Sequence, residues 1–411
     1  MRRRLFPLTL FLLAATLTVV LSEAAYRVSC LYICTGRGHF AVKLDPLFGY
    51  THAPGASHET HSCVGRSFEF RNTVHINSHG LRDAETPYER TPGLARVLAL
   101  GDSVVEAMQV QDREPFTEVV ESILSARGLA TEVVNAGHAG YTTDNQVLFY
   151  ENEGRRYRPD VVLSEFNLLN DVAEQSPIVF ARMYADAGIE TVPRPGLSID
   201  GRGRLVTDSS PLARYAESHP GGFDTGRNWA AWLHDNLYLW RFVERALSEP
   251  TPRTEPDLSR QAAGPYGVFA TDTRPEWDEA WRFVEAGYRR LRDQVEADGA
   301  RLVVLVMPSR ENVDPKHWEV LAMGMPALTQ GKWDIDAPRR RILAFLEREH
   351  IEAMDATPAL QAHLAATGDV GFYDFNAHPT ASGHRVIAEA IAPELERLLR
   401  KVGGSRTDPG H

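Results

Sequence analysis

The sequence predicts an α/β protein: a flavodoxin-like three-layer α/β/α domain around a central parallel sheet, interrupted by one inserted segment. Three observations carry this. Short apolar runs alternate with segments of helical period, the signature of strands joined by crossover helices. The runs are continuously apolar, as strands covered on both faces must be. The chain also has the means to bury a large core, with 411 residues of which 43% are hydrophobic and 24% charged. That composition excludes a mainly disordered chain, a collagen-like chain and a small disulfide scaffold. The net charge of −11 lacks the basic footprint of non-specific nucleic-acid binding.

Arg2, Arg3 and Arg4 precede an uncharged apolar stretch, Leu5 to Leu21. This is a basic flank followed by about 17 apolar residues, the lower limit for a spanning helix. Residues 1–22 are therefore expected to act as a signal anchor or signal peptide. The arginines would stay cytoplasmic and the body would lie outside. The length favours an uncleaved anchor over cleavage near Ser22-Glu23-Ala24. The expected location is the inner membrane, single-pass, with an extracytoplasmic body, or secretion if the segment is cut.

Residues 23–92 are rich in Gly, Pro, His and polar side chains. They are expected to form a loop-rich lead-in with short strands such as Ser67–Val74. The three cysteines, Cys30, Cys34 and Cys63, all lie in or near this region. One bridge, Cys30 or Cys34 with Cys63, is open to it in an oxidising compartment. His58, His61 and Cys63 match no zinc spacing, and His58-Glu59-Thr60-His61 is one residue short of H-E-x-x-H.

The α/β body is expected over residues 93–402. Arg96–Leu100 is the first strand, ending at Gly101. Phe116, Val119, Val120, Ile123 and Leu124 share one helix face. Glu132–Val134 is the second strand, ending at Asn135, and Asn145 to Arg156 the next helix. Val161–Leu163 is the third strand. Residues 172–275 break the alternation and read as an insertion on the site side, with a Trp-rich helical stretch from Trp229 to Leu247. Trp281, Val284, Tyr288, Leu291 and Val295 mark a long helix leading into Arg301–Met307, the clearest strand. Ile342, Phe345 and Leu346 mark a helix before a weak strand at Ile351–Met354. Val386, Ile387, Ile391, Leu395 and Leu398 line the last helix. Residues 403–411 read as a frayed tail.

Ligands of such sheets bind beyond the carboxyl ends of the strands. There the sequence places Gly101-Asp102-Ser103, Asn135-Ala136-Gly137-His138-Ala139-Gly140, Asn167-Leu168-Leu169-Asn170-Asp171, and Asp374-Phe375-Asn376-Ala377-His378-Pro379. A hydroxyl, a glycine turn, an amide and an imidazole on one sheet edge are the parts acyl transfer needs. Each has a plainer role alone: Ser103 as a helix N-cap, Asp102 bonding turn amides, Asp171 holding the Asn170 turn, His384 packing on the last helix, His138 in a loop.

Taken in order, G-D-S, N-A-G-x-x-G, P-D-V-V-x…N-D and H-P-x-x-x-G-H resemble the SGNH (GDSL-type) hydrolase superfamily from about Asn77 to Leu399, outside the insertion. Asn77-Ser78-His79-Gly80-Leu81-Arg82 resembles the N-x-x-G-x-R element of its membrane-anchored bacterial branch. The resemblance implies the SGNH fold and a serine esterase or O-acyltransferase working through an acyl-Ser103 intermediate. Its substrate would be an extracytoplasmic carbohydrate or lipid ester, with an O-acetyl group as the leading choice. Ser103 would be nucleophile, His378 base, and the Ser103 N–H (with the helix amino terminus behind it), Gly140 and Asn170 the oxyanion donors. The sequence departs from the pattern in two places. The acid's usual positions hold Phe375 and Asn376, so Asp374 is ranked first as acid and Asn376 second as orienter. Ala107 replaces a usual glycine, which is expected to touch only the helix start. The alternative is a weak or inactive binding or assembly module. No P-loop or dinucleotide fingerprint is present, and no metal, nucleotide or organic cofactor is expected.

Overall fold

The computed structural model describes residues 42–64, 67–180, 194–218, 264–272, 274–329 and 331–406, together with 11, 13–25, 28, 237, 239 and 240. Cys30, Cys34, most of Trp229–Leu247 and residues 407–411 of the tail lie outside this set.

In the lead-in, β1 (Val42–Asp45) pairs antiparallel with β2 (Gly49–His52), and β3 (Ser57–Val64) with β4 (Ser67–His75). The strand expected at Ser67–Val74 is β4; among the described residues of the lead-in the other three strands add to it, and 76–92 are turns and loops as expected. The strands are short or carry charge and histidine, so the apolar alternation that flags a strand is weak.

The central sheet comprises β5 (Ala95–Gly101), β6 (Thr131–Gly137), β7 (Val161–Asn167), β10 (Arg301–Met307) and β11 (Glu352–Asp355). All its pairs are parallel, in the order β11-β10-β7-β5-β6. Counting only these five strands along the chain, this is the flavodoxin-like order 2-1-3-4-5, with its switch point between β5 and β7. The predicted fold class is therefore observed. Within the insertion, β8 (Gly196–Ile199) and β9 (Leu205–Asp208) form a separate hairpin.

The helices needed below are α1 (Ser103–Glu106), α2 (Phe116–Ala126), α3 (Thr143–Asn152), α4 (Asp171–Gln175), α5 (Ser210–Ser218), α6 (Pro275–Ala297), α7 (Arg310–Val313), α8 (Pro315–Gly324), α9 (Ala337–Arg348), α10 (Thr357–Thr367) and α11 (Ala381–Arg406). The sheet residues alternate between two buried cores. Leu98, Leu100, Val162, Phe166, Val304 and Val306 pack with α3, α6 and α9. Val97, Ala99, Val161, Leu163, Val303 and Leu305 pack with α2, α10 and α11. Two covered faces explain why the strands read as unbroken apolar runs. The helix expected at Asn145–Arg156 instead starts at Thr143 and ends at Asn152, where a 3-10 turn, Gly154–Tyr157, takes over.

Edge strand β6 exposes backbone donors that could template pairing. Val133 N donates to Glu121 Oε2 (2.8 Å) and Asn135 N to Asp83 Oδ2 (3.0 Å), so carboxylates close that edge.

Among the described residues no helix is long and apolar enough to cross a membrane. Residues 13–25 are helical, and Phe11, Leu13, Leu17 and Leu21 are exposed; residues 1–10 lie outside the described set.

Candidate active site

Strand β5 delivers Gly101, Asp102 and Ser103 to the switch point. At Gly101 a Cβ would stand 2.3 Å from Val105 Cγ2 and 2.8 Å from Glu165 Oε2, so only glycine passes. Asp102, rather than Ser103, caps α1: its Oδ1 accepts from Val104 N at 2.7 Å. That leaves the Ser103 hydroxyl uncommitted to capping. Because α1 is a single turn, its dipole contributes little at Ser103.

The end of α1 is held from the lead-in. The Arg82 guanidinium, almost fully buried, donates to Glu106 O (2.9 Å), Ala107 O (2.7 Å) and Val110 O (2.6 Å). Those carbonyls lack helical partners, and an arginine fork supplies several donors at once. Asn77 braces the lead-in turn that carries Arg82, accepting from His79 N and Leu81 N through Oδ1. The N-x-x-G-x-R element is thus a clamp on the serine helix. Ala107 stands at the end of α1, not its start, in the left-handed region at φ 57°. This is the conformation a glycine would adopt without strain.

Ser103 and His378, far apart in sequence, meet: His378 Nε2 lies 2.7 Å from Ser103 Oγ. On the other side of the ring, Nδ1 lies 2.5 Å from Asn376 Oδ1. The Asn376 oxygen can only accept, so Nδ1 carries the proton and the Nε2 lone pair faces the serine. Desolvation of the ring pushes the His378 pKa down to about 4.

Asp374, ranked first as the acid, is not at the imidazole. Its carboxylate is exposed and pairs with Arg310 (3.0 Å). Arg310 also donates to the Tyr373 and Asp374 carbonyls at 2.9 and 3.0 Å. Glu69 Oε1 accepts from Phe375 N at 2.7 Å, and Tyr373 N bonds His378 O at 3.1 Å. These ties turn Asp374 outward and Asn376 inward.

Asn170, after β7, donates its amide Nδ2 to Asp102 Oδ2 at 3.0 Å, beside Asn167 Nδ2 at 3.3 Å. The second Nδ2 hydrogen remains for a ligand. Asp171 Oδ2 accepts from Asn167 N (3.2 Å), holding the turn as expected. Gly140 occupies φ +79° in the loop after β6, where a Cβ would meet the Tyr50 hydroxyl at 2.8 Å.

Behind the serine, Asp102, Glu165 and Asp171 are fully buried. Burial, then the charges of its two neighbours, pushes the Glu165 carboxyl well above the usual range; burial first, then Asp102, does the same for Asp171. Sequence reasoning missed Glu165, which sits inside an apolar strand. It singled out Arg82 only within the N-x-x-G-x-R element, with no role, and it missed Arg194 and Arg310, whose partners are distant in sequence. His138 is buried and stacked on His52 and Tyr141, away from the serine relay. His384 Nδ1 accepts from Phe116 N (3.2 Å), capping α2 rather than merely packing.

Neither a family model nor a curated protein matches the chain. Solved structures do. TesA is 12% identical at TM-score 0.37, with 74% of this chain and 99% of that one covered. A catalytic mutant of the acetylxylan esterase Axe2 from Geobacillus stearothermophilus is 13% identical at TM-score 0.35, covering 75% and 94%. LAE5, an alpha/beta hydrolase from the metagenome of Lake Arreo, Spain, is 15% identical at TM-score 0.37, covering 76% and 98%. Function rests on the site's own geometry.

Proposed function

We propose that this chain is an SGNH-type ester hydrolase that works through an acyl-Ser103 intermediate. One observation carries the reading: the continuous relay Ser103 Oγ, His378 Nε2, His378 Nδ1, Asn376 Oδ1, at 2.7 and 2.5 Å. Ser103 attacks the ester carbonyl and its proton passes to Nε2. The tetrahedral oxyanion is met by the Ser103 and Gly140 N–H groups and the Asn170 amide. His378 returns the proton to the departing alkoxide, and the ester C–O bond breaks. Water then attacks the acyl-serine as His378 takes its proton; the acyl C–Oγ bond breaks, His378 returns the proton to Ser103 Oγ, and the acid leaves. If a sugar hydroxyl replaces water, the same steps give O-acyl transfer. Asn376 fixes the imidazole's tautomer as an amide does in Cys-His-Asn enzymes, without balancing the imidazolium charge.

We assign an O-acetyl or other short ester of an extracytoplasmic carbohydrate or lipid as substrate. The arginine cluster, the apolar run at residues 5–21 and the exposed apolar side chains of its described part support a membrane-tethered or exported body in the bacterial envelope. The amide oxygen of Asn376 at Nδ1, where a carboxylate would balance the imidazolium, favours the second reading, a weak or inactive binding or assembly module.

The two readings part on one experiment: the full chain with p-nitrophenyl acetate and a fluorophosphonate probe. The expected result is turnover and labelling of wild type at Ser103, with neither in Ser103→Ala. A folded wild type that is not labelled, or equal labelling of both proteins, refutes the hydrolase and leaves the binding module.

A further inference from the structure

The oxyanion donor assigned to Gly140 belongs to the peptide joining Ala139 and Gly140. In a trans peptide the C=O and N–H point in opposite directions, so fixing the carbonyl aims the N–H. The Ala139 carbonyl accepts a hydrogen bond from the Tyr50 hydroxyl, delivered by β2 of the lead-in. Tyr50 is itself seated: its carbonyl accepts from the Tyr141 hydroxyl at 2.5 Å, and the two rings pack edge to face at 5.4 Å.

The next carbonyl, Gly140 O, accepts from Arg194 Nη2 at 2.7 Å. Arg194 comes from the insertion. Its Nη1 also donates to Glu174 O (2.7 Å) and Thr142 Oγ1 (3.1 Å). Glu174 lies on α4, directly after Asn170, and its N–H bonds the Asn170 carbonyl at 2.7 Å. The Arg194 guanidinium lies over the Phe180 ring, 4.0 Å from the centroid, which restricts its rotation. One cation thus joins the loop holding Gly140 to the helix behind Asn170. The Tyr50 bond to Ala139 O also polarises the peptide that carries the Gly140 N–H, whereas Arg194 fixes the following peptide, whose Tyr141 N–H bonds His138 O at 3.0 Å.

We propose that Tyr50 and Arg194 are positioning residues, which lock the two peptides flanking Gly140 so that its N–H stands preorganised for the oxyanion. This rests on the ester-hydrolase reading. Neither residue touches the reacting atoms; both act through the loop. The left-handed turn at Gly140 is closed by one internal bond, Tyr141 N to His138 O at 3.0 Å, and the Tyr50 and Arg194 contacts add restraint from outside it.

The test is steady-state hydrolysis of p-nitrophenyl acetate by full-length Tyr50→Phe, Arg194→Lys and Arg194→Ala, with thermal melting as a fold check. Loss of a positioning contact is expected to lower kcat about 10-fold in Tyr50→Phe, less than losing an oxyanion donor outright, and about 100-fold in Arg194→Ala, at the lower end of that loss, with KM unchanged. Arg194→Lys keeps the charge but loses the fork, so it should recover only part of kcat. Tyr50→Phe removes a single oxygen and decides the matter if Arg194→Ala melts early. A folded Tyr50→Phe with wild-type kcat, or a loss expressed only in KM, overturns the proposal while leaving the hydrolase intact. A wild type unreactive at Ser103 overturns both.

Discussion

The two sides of Ser103 handle charge in opposite ways. On one side His378 stands with an amide at Nδ1 and its pKa pushed down to about 4 by desolvation. On the other, Asp102, Glu165 and Asp171 are packed together out of water, with Glu165 and Asp171 driven toward the neutral form. Among the described residues no carboxylate bonds the imidazole, and no imidazole bonds these three carboxyls. The difference teaches that burial, not residue type, fixes what each group can do. The desolvated imidazole stays neutral and can accept a proton. The desolvated carboxyls serve as scaffolding: Asp102 bonds Val104 N, Asn167 and Asn170, and Glu165 Oε2 accepts from Asp102 N at 3.2 Å.

The strongest way to break this contrast is to put charge beside the imidazole. In Asn376→Asp the carboxylate would stabilise the imidazolium, so the His378 pKa rises and the acid limb of the rate profile moves up from about pH 4. Because Asp→Asn in a serine triad costs ~10⁴-fold, the reverse change is expected to raise kcat about 10- to 100-fold at pH 7 to 8. Asn376→Ala should lose activity, whereas Asp374→Ala, which disturbs only an exposed pair with Arg310, should change kcat little. Steady-state pH profiles of the three variants check this.

A smaller effect sharpens the other half. Glu165 has its folded pKa raised, so its contribution to stability is complete below the unfolded carboxyl value and is lost as pH rises toward the folded one. Glu165→Gln mimics the neutral acid and removes that slope. Melting curves should show it more stable than wild type at pH 8, by roughly 2–4 °C, and equal to it at pH 4. A wild-type advantage at pH 8 would mean the carboxyl is ionised and useful there.

The smallest change concerns the turn both sides share. Ala107 pays for a left-handed conformation, and Ala107→Gly should relieve about 1 kcal/mol in denaturant melts with activity unchanged.

Much of this was legible in the residues. Continuous apolar strands at Arg96–Leu100, Val161–Leu163 and Arg301–Met307 gave the parallel sheet, because a strand covered on both faces leaves no polar alternation. Ser103, Gly140, Asn170 and His378 stood out as candidates because each follows a strand or precedes a helix, and strand ends are where such sheets collect their chemistry. The lead-in was read too loosely: its hairpins have little apolar signal, yet they supply Arg82 to the end of α1, Glu69 to the histidine loop and Tyr50 to the Gly140 loop.

The amino-acid order by itself determined the layered sheet, the order of its strands along the chain and the chemical kinds gathered at its edge. Those depend on periodicity and on short spacings, which local sequence encodes. Only the tertiary structure decided that Asn376 and not Asp374 faces the imidazole. In an irregular loop a side chain's direction follows its outside partners, here Arg310, Glu69 and the His378 carbonyl. Contacts that close across hundreds of residues leave no period to read.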